Sequence, residues 1–350
     1  MKCMATLRTG SIEIACDESG NTGENLVAGG AKVFSEGSHD LSVAESAEVL
    51  DWIRNQIGQS GSEIKWRSVR KHPSLVEELF GTKLIGRARF YLTEKLYFTV
   101  GKVIDLLIEE RYHSQGRDLY ASGSAKRMAL DLYRGGPRAL ERDQWTALLV
   151  GFNSLMRRDS STQKLKAIPK TTVDEFYAVV DMCRWASKRR AVSEILGALV
   201  DTKKFADEFV AALDPQSSPI PALDPLVPSL AQSTRHWFDD SSAAEIRVLH
   251  DEGPVPSSTA MGALAEGLRH PREFWRYGTA VNLVDIETGN SSTDPRLQVA
   301  DLVAGFGATC GGLALDGQLH PSFLELANLT ILPSSLWGDE KSGLLLGLRG

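Results

Sequence analysis

Four segments of this 350-residue chain carry carboxylates where apolar runs stop. Asp17 and Glu18 follow "SIEIAC", Glu63 opens "EIKWRSV", Asp251 and Glu252 follow "EIRVLH", and Asp301 stands inside "LQVADLVAGFGA". Carboxylates that converge repel one another and are costly to ionise together unless a cation neutralises them. Oxygen-only donors favour Mg²⁺ or Mn²⁺ over zinc. Two such ions held by shared acids suit phosphodiester hydrolysis, one activating water and the other stabilising the leaving oxygen. Each acid also has a plain reading. D-E-S-G is good turn chemistry, Asp251 and Glu252 precede Gly253 and Pro254, and Glu63 alone reads as a surface acid. Asp301 resists that reading best, because a mid-helix acid among apolar residues must be paired, exposed or ligating. An exposed helical face is the competing account. Only the combination points to a site.

The elements that must position these acids are legible in outline. Residues 11–16 alternate and are β-branched, which predicts a strand, and 25–34 predicts a second one, hairpin-paired through "SGNTGEN". A helix follows, with Ala47, Leu50, Ile53 and Ile57 at three- and four-residue spacing and Ser42 as N-cap. Strands are expected at 63–69 and 87–94, then a helix carrying Leu96, Val100, Val103 and Leu107 on one face. Residues 112–243 read as a mostly helical insertion, with helices at 124–158, 171–200 and 202–213 and a proline-rich surface linker at 214–229. Strands return at 244–252 and 280–287, separated by a helix with Met261, Leu264 and Leu268 on one face. Asp294 and Pro295 are a good N-cap and first-turn pair for the last helix. The expected architecture is α/β, a mixed sheet flanked by helices. Its core is divided between residues 1–111 and 244–350, with the insertion between them.

In an open α/β sheet ligands gather outside the carboxyl ends of strands, so Asp17 and Asp251 meet if their strands are parallel neighbours. On the last helix, Gln298, Asp301, Gly305 and Ala308 share one side. Small residues there let the helix approach the sheet and aim Asp301 at the strand ends. Alternation puts His250 opposite Asp251, as a packed histidine.

The composition, 42% hydrophobic and 24% charged, is that of a soluble globular protein. A net charge of −6 gives no global footprint of a nucleic-acid binder, though a local one remains open. Two basic stretches stand out, "MRRDSSTQKLKAIPK" and "CRWASKRRA". Arg157, Arg158, Lys164 and Lys166, with Arg184, Lys188, Arg189 and Arg190, form either a phosphate-tracking face or an ordinary solvated helix face, and Trp185 is a candidate stacking platform. Cys3, Cys16, Cys183 and Cys310 are scattered, without the spacing of a zinc site, and read as reduced thiols. The first fifteen residues lack a signal-peptide core, and no apolar run is expected to span a membrane. The expectation is a cytoplasmic, soluble protein.

"IACDESGNTG", "NLVAGGAKVF", "EIKWRSVR", "VLHDEG" and "LQVADLVAG", in that order, resemble the signature segments of the domain-of-unknown-function 3800 family. The resemblance covers roughly residues 11–110 and 244–312. It implies a ribonuclease H-like fold and a metal-dependent nuclease acting on DNA or RNA through two Mg²⁺ or Mn²⁺ ions, in a family with members near mobile-element or phage-defence genes. It makes Asp17 the first-strand ligand, Asp301 the helix ligand and Asp251 the second-strand acid, with Glu252 its alternate. Glu63 stands in for the glutamate that such sites add, and Glu18 is a further ligand or a hydrogen-bond acceptor. Substrate contacts are expected from Lys65, Ser19 and Gln298, and from Arg157, Arg158, Lys188 and Arg189 in the insertion. The insertion is also the expected surface for a protein partner or a second copy of the chain. Two other readings compete. "DESGNTGEN" is superficially similar to the phosphate turn of actin-like and sugar-kinase-like phosphotransferases, but no second glycine-rich turn of that type follows residue 250. A non-enzymatic binding module, with structural acids and a working insertion, is the other.

Overall fold

The structure is a computed structural model that describes residues 10–28, 30–58, 63–158, 170–211, 213–214, 216, 218–241, 243–252, 258–274 and 279–348. Its centre is a five-stranded sheet in the order β3-β2-β1-β4-β5. The strands are β1 (Ser11–Ser19), β2 (Val33–His39), β3 (Ala88–Glu94), β4 (Glu245–Asp251) and β5 (Leu283–Gly289). β2 is antiparallel to both β1 and β3, whereas β1, β4 and β5 are mutually parallel. This is the α/β mixed sheet that the sequence predicts. The helices that matter for the site are α1 (Val43–Ile57), α2 (Trp66–Val69), α3 (Lys95–Val103), α4 (Ser124–Ala139), α5 (Arg142–Met156), α6 (Val173–Ala186), α7 (Arg190–Val200), α8 (Leu226–Asp240), α9 (Ser258–Arg269) and α10 (Pro295–Leu315).

The two faces of the sheet are sorted by the period of two. Ile14, Cys16, Phe34, Ile246 and Val248 pack under α8 and α9, with Leu230, Trp237 and Leu264. Ala15 and Leu249 face the other way and meet Leu297 of α10. On that second face α10 crosses β2 closely, and small residues make this possible. A Cβ on Gly37 would fall on the Ala304 backbone nitrogen, and one on Gly307 would run into Phe90 and Ser35. The stripe that approaches the sheet is therefore Ala300, Ala304, Gly307 and Gly311, next to the expected stripe of Gln298, Asp301, Gly305 and Ala308. Gly305 makes room for the Trp66 ring instead, whose Cδ1 lies 2.7 Å from where a Cβ would stand.

Several sequence expectations need correction. β2 begins at Val33 rather than at residue 25, and continues through the fully buried Ser35, Glu36, Ser38 and His39. Polar residues hid it because a central strand with this composition has no apolar alternation. Residues 66–69 form a helical turn, not a strand, with Trp66 and Val69 buried. Residues 171–200 divide into α6 and α7 at Ser187. The caps hold: Ser42 accepts the Glu45 N–H in a capping box, and Asp294 accepts the Arg296 N–H ahead of Pro295. Pro295–Leu315 is long and apolar enough to cross a membrane, against expectation, but most of it is buried within the fold. The described cysteines, Cys16, Cys183 and Cys310, are buried free thiols, and Cys310 lies inside α10 rather than after it.

A separate apolar core holds the helical block together. It runs from Tyr97 and Val100 through Leu148, Phe152, Phe176 and Leu196 to Leu223. Leu26, from the β1–β2 link, belongs to the same core; α3 faces the block, while α8 faces the sheet.

Candidate functional site

Asp17 and Asp251 are brought together by register. Cys16 pairs with His250 across the parallel β1–β4 ladder, and the two aspartates come next on each strand. They share the face of Ala15 and Leu249, the face covered by α10. Asp301 lies one helical turn beyond Leu297 on α10. The three carboxylates sense one another. Burial, followed by the charges of Glu18, Asp301 and Asp251, pushes Asp17 up to about 9, against the stabilising Glu18 N–H at 2.7 Å. Burial also raises Asp301, with Glu63 and Asp251 adding to it and the Lys65 ammonium and Trp66 N–H opposing it. Asp301 Oδ2 is buried without a hydrogen-bond partner.

Positioning groups surround these acids. Gln298, expected to touch substrate, is a buried strut: its Oε1 accepts the Ile64 N–H at 3.4 Å and its Nε2 donates to the Ser291 carbonyl at 2.8 Å. Ser291 N–H in turn donates to Asp251 Oδ1 at 3.1 Å. One side chain thereby ties the Glu63–Lys65 segment and the Asp251 loop to α10. Trp66 Nε1 donates to Thr309 Oγ1 at 2.8 Å, and its backbone N–H reaches Asp301. Neither Trp66 nor Ser291 was legible as part of the site; the signal for Trp66 was Gly305, a gap at the right place on α10.

Glu63 and Lys65 form a half-exposed ion pair with Nζ 2.5 Å from Oε1. Burial alone would lower the Lys65 ammonium, but the Glu63 hydrogen bond and the charges of Asp301, Glu63 and Asp17 outweigh it and raise it. Lys65 is thus a cation beside the acids, and Glu63 meets it before it meets an ion. Glu252 is exposed and accepts a hydrogen bond from Asn290 Nδ2, which turns it away from the role of alternate ligand. Ser19 ends β1, half-buried, opposite Ser35.

Of the two roles open to Glu18, ligand or hydrogen-bond acceptor, the structure shows the second. Successive strand residues point to opposite faces, so Glu18 lies behind the sheet from Asp17. There its Oε2 is 3.6 Å from His250 Nε2, and Asn21 Nδ2 donates to its Oε1 at 3.3 Å. The buried Glu36 lies across the ladder from Glu18 and accepts the Ser233 hydroxyl; burial pushes it up to about 8. Asp224, from the proline-rich stretch, joins this group, and burial raises it to about 6. His250 is fully buried in the same cluster, the packed histidine that alternation predicts.

The "SGNTGEN" turn is closed on itself. Thr22 Oγ1 donates to the Asn25 carbonyl at 2.7 Å, and the buried Lys95 donates to the Gly20 carbonyl at 2.6 Å and to Thr22 Oγ1 at 2.8 Å. Burial lowers Lys95 to about 8.

The basic residues of the insertion separate into two kinds. Arg157 is buried, and the Arg158 guanidinium donates to the carbonyls of Ser218, Pro219 and Ile220 while its N–H donates to Glu24. Arg158 thereby anchors the proline-rich stretch that the sequence made a surface linker, and the burial of Arg157 keeps it from a substrate-facing surface. Lys164 and Lys166 lie outside the described residues. Lys188 is exposed and pairs with Glu141 at 3.0 Å, and Arg189 is exposed at the N-cap of α7.

Oxygen donors, a buried orphan oxygen and mutual repulsion are the features that a hard divalent cation relieves. The donor chemistry therefore fits Mg²⁺ or Mn²⁺. The spacing is open: among the described residues, no three His, Cys, Asp or Glu side chains are gathered closely enough to hold an ion as they stand. In comparison with known proteins, the chain matches no family model, no curated protein and no solved structure.

Proposed function

We propose that this protein is a Mg²⁺- or Mn²⁺-dependent nuclease with a ribonuclease H-like core, of the kind found in the domain-of-unknown-function 3800 family. The observation that carries the reading is the shared face of Asp17, Asp251 and Asp301 at the carboxyl ends of two parallel strands, with Asp17 driven up to about 9 by burial and its neighbours' charge. The strand order β3-β2-β1-β4-β5, with β2 reversed, supports the fold.

Bound divalent ions would supply an activated water and stabilise the departing oxygen of a phosphodiester. The chain's own residues do the rest. Asp17, Asp251 and Asp301 would hold the ions; Ser291 and Trp66 bond Asp251 and Asp301, and Gln298 holds Ser291 and the segment ahead of Trp66 in place. Lys65, a cation beside the acids and half-exposed, would meet a substrate phosphate. The closed "SGNTGEN" turn weighs against the phosphotransferase reading, since Thr22 is already engaged by Lys95 and Asn25.

The test is cleavage of labelled DNA and RNA oligonucleotides in Mg²⁺ or Mn²⁺. Asp17→Asn and Asp301→Asn should each lose at least about 100-fold in rate while keeping the circular-dichroism spectrum of the parent. Cleavage by Asp17→Asn at the parental rate overturns the proposal.

A further inference from the structure

A second set of cations stands apart from the acids, where α4 meets α7. The two helices approach over Gly135, where an added Cβ would stand 2.8 Å from Val192 Cγ2. Lys188 N–H donates to the Ala139 carbonyl at 3.1 Å, which pins the α6–α7 link to the end of α4. This close packing leaves a cavity of about 400 Å³ whose rim carries Arg134 and Arg138 from α4 and Arg189 and Arg190 from the start of α7. One acid, Asp131, shares the rim. Arg134 is 3.4 Å from Glu340 and Arg190 is 2.7 Å from Glu194. Among the described residues the guanidinium groups of Arg138 and Arg189 have no partner.

Two features make this more than a solvated face. Arg189 and Arg190 occupy the N-cap and first position of α7, with no side-chain cap and no acid in the first turn. Cations there oppose the helix dipole, an arrangement that an anion at the corner relieves. Four residues before Arg189, in the last turn of α6, Trp185 is 79% exposed, the most exposed large hydrophobic side chain described. Arg184 lies 5.6 Å from its ring centroid, on the side packed toward Gly197 of α7. An unburied indole and a row of arginines are the two means used to track a flexible strand, with cations on phosphates and an aromatic face under a base.

We infer that the corner formed by Arg134, Arg138, Arg189 and Arg190, together with the exposed Trp185 at the end of α6, binds single-stranded nucleic acid. This rests on the nucleic-acid reading of the acid site and names a substrate class for it. The helical block then carries the strand, and the sheet carries the chemistry.

The experiment uses the full chain in EDTA, so that binding is read without cleavage. Fluorescence anisotropy of a labelled thymidine 20-mer is followed as a function of salt. Arg138→Glu with Arg189→Glu should weaken binding more than about tenfold and flatten the salt slope by about 1.4, two phosphate contacts on a single strand. Trp185→Ala should weaken binding about tenfold with the slope kept, since stacking carries no counterion release. Unchanged melting temperatures confirm that neither change acts through folding. Parental affinity in both variants overturns the inference, as does equal binding of a duplex or of poly-glutamate. A chain that binds through this corner yet cuts nothing sinks the nuclease reading alone. A chain that cuts, with binding indifferent to the variants, sinks this inference alone.

Discussion

Gly37 of β2 lies directly under Ala304 of α10, so close that an added Cβ would sit 2.8 Å from the Ala304 Cα and 2.9 Å from the Ala300 carbonyl oxygen. Gly37 is also the ladder partner of Asp17. The contact that seats the helix is thus one residue across from the acid the helix must meet. Backbone atoms cannot yield as a flexible side chain would, so Gly37→Ala must lift α10 from the sheet. A loss of about 3 kcal/mol is expected, the upper range for overpacking. Gly312→Ala is the control: nothing lies near its Cβ position, and an alanine inside a helix gains up to about 1 kcal/mol. Urea denaturation of both variants measures the difference. Equal stabilities would show that the close approach is not a constraint.

Which parts of this arrangement could be read from the chain follows from what periodicity encodes. Period two sorts β1 and β4 correctly, and applied to Glu18 as it was to His250 it separates that acid from Asp17 and decides between its two open roles. Asp301 was visible because charge is rare in an apolar helix. The pairing of Glu63 with Lys65 was not read from the chain, although i and i+2 share one side of an extended segment; the helical turn that follows is held by Trp66 against Gly305 and Thr309. The buried polar strand 33–39 escaped for the opposite reason. Its burial is set by tertiary partners, such as Ser233 on Glu36 and Trp237 on Ser38, which no local pattern announces.

The two-faced geometry makes metal binding a sharper test than activity. Ligand binding to the folded state alone stabilises by about 2.7 kcal/mol at one hundred times the dissociation constant. Mg²⁺ or Mn²⁺ should therefore raise the melting temperature of the parent, and the rise should vanish in Asp17→Asn and Asp301→Asn. Glu18→Gln should keep it, because Glu18 faces His250 behind the sheet, and Glu252→Gln should keep it, because Asn290 engages that side chain. Differential scanning fluorimetry reads all five proteins. Loss of the metal response in Glu18→Gln alone would reverse the assignment of faces.

His39 gives a pH dependence whose sign is fixed by its burial. Its Nδ1 lies 3.1 Å from the Leu41 N–H and must accept, so Nε2 carries the proton and donates to the Arg296 carbonyl at 2.8 Å. Burial, the largest cause, lowers the imidazole to about 4, so the folded protein keeps it neutral. The unfolded chain takes up a proton near pH 6.5, and the folded chain refuses it until about pH 4. The stability His39 contributes is therefore present above pH 6.5 and lost as pH falls through that window, by roughly 3 kcal/mol at most. His39→Gln preserves a donor toward Arg296 but leaves the Leu41 N–H unpaired, a cost of about 1–3 kcal/mol at pH 8. Having no proton to take up, it should close that gap as the pH is lowered and overtake the parent by pH 4.5. Denaturation of both proteins at intervals from pH 8 to 4.5 follows the crossing; parallel curves would mean that His39 takes up its proton as readily in the folded state as in the unfolded chain.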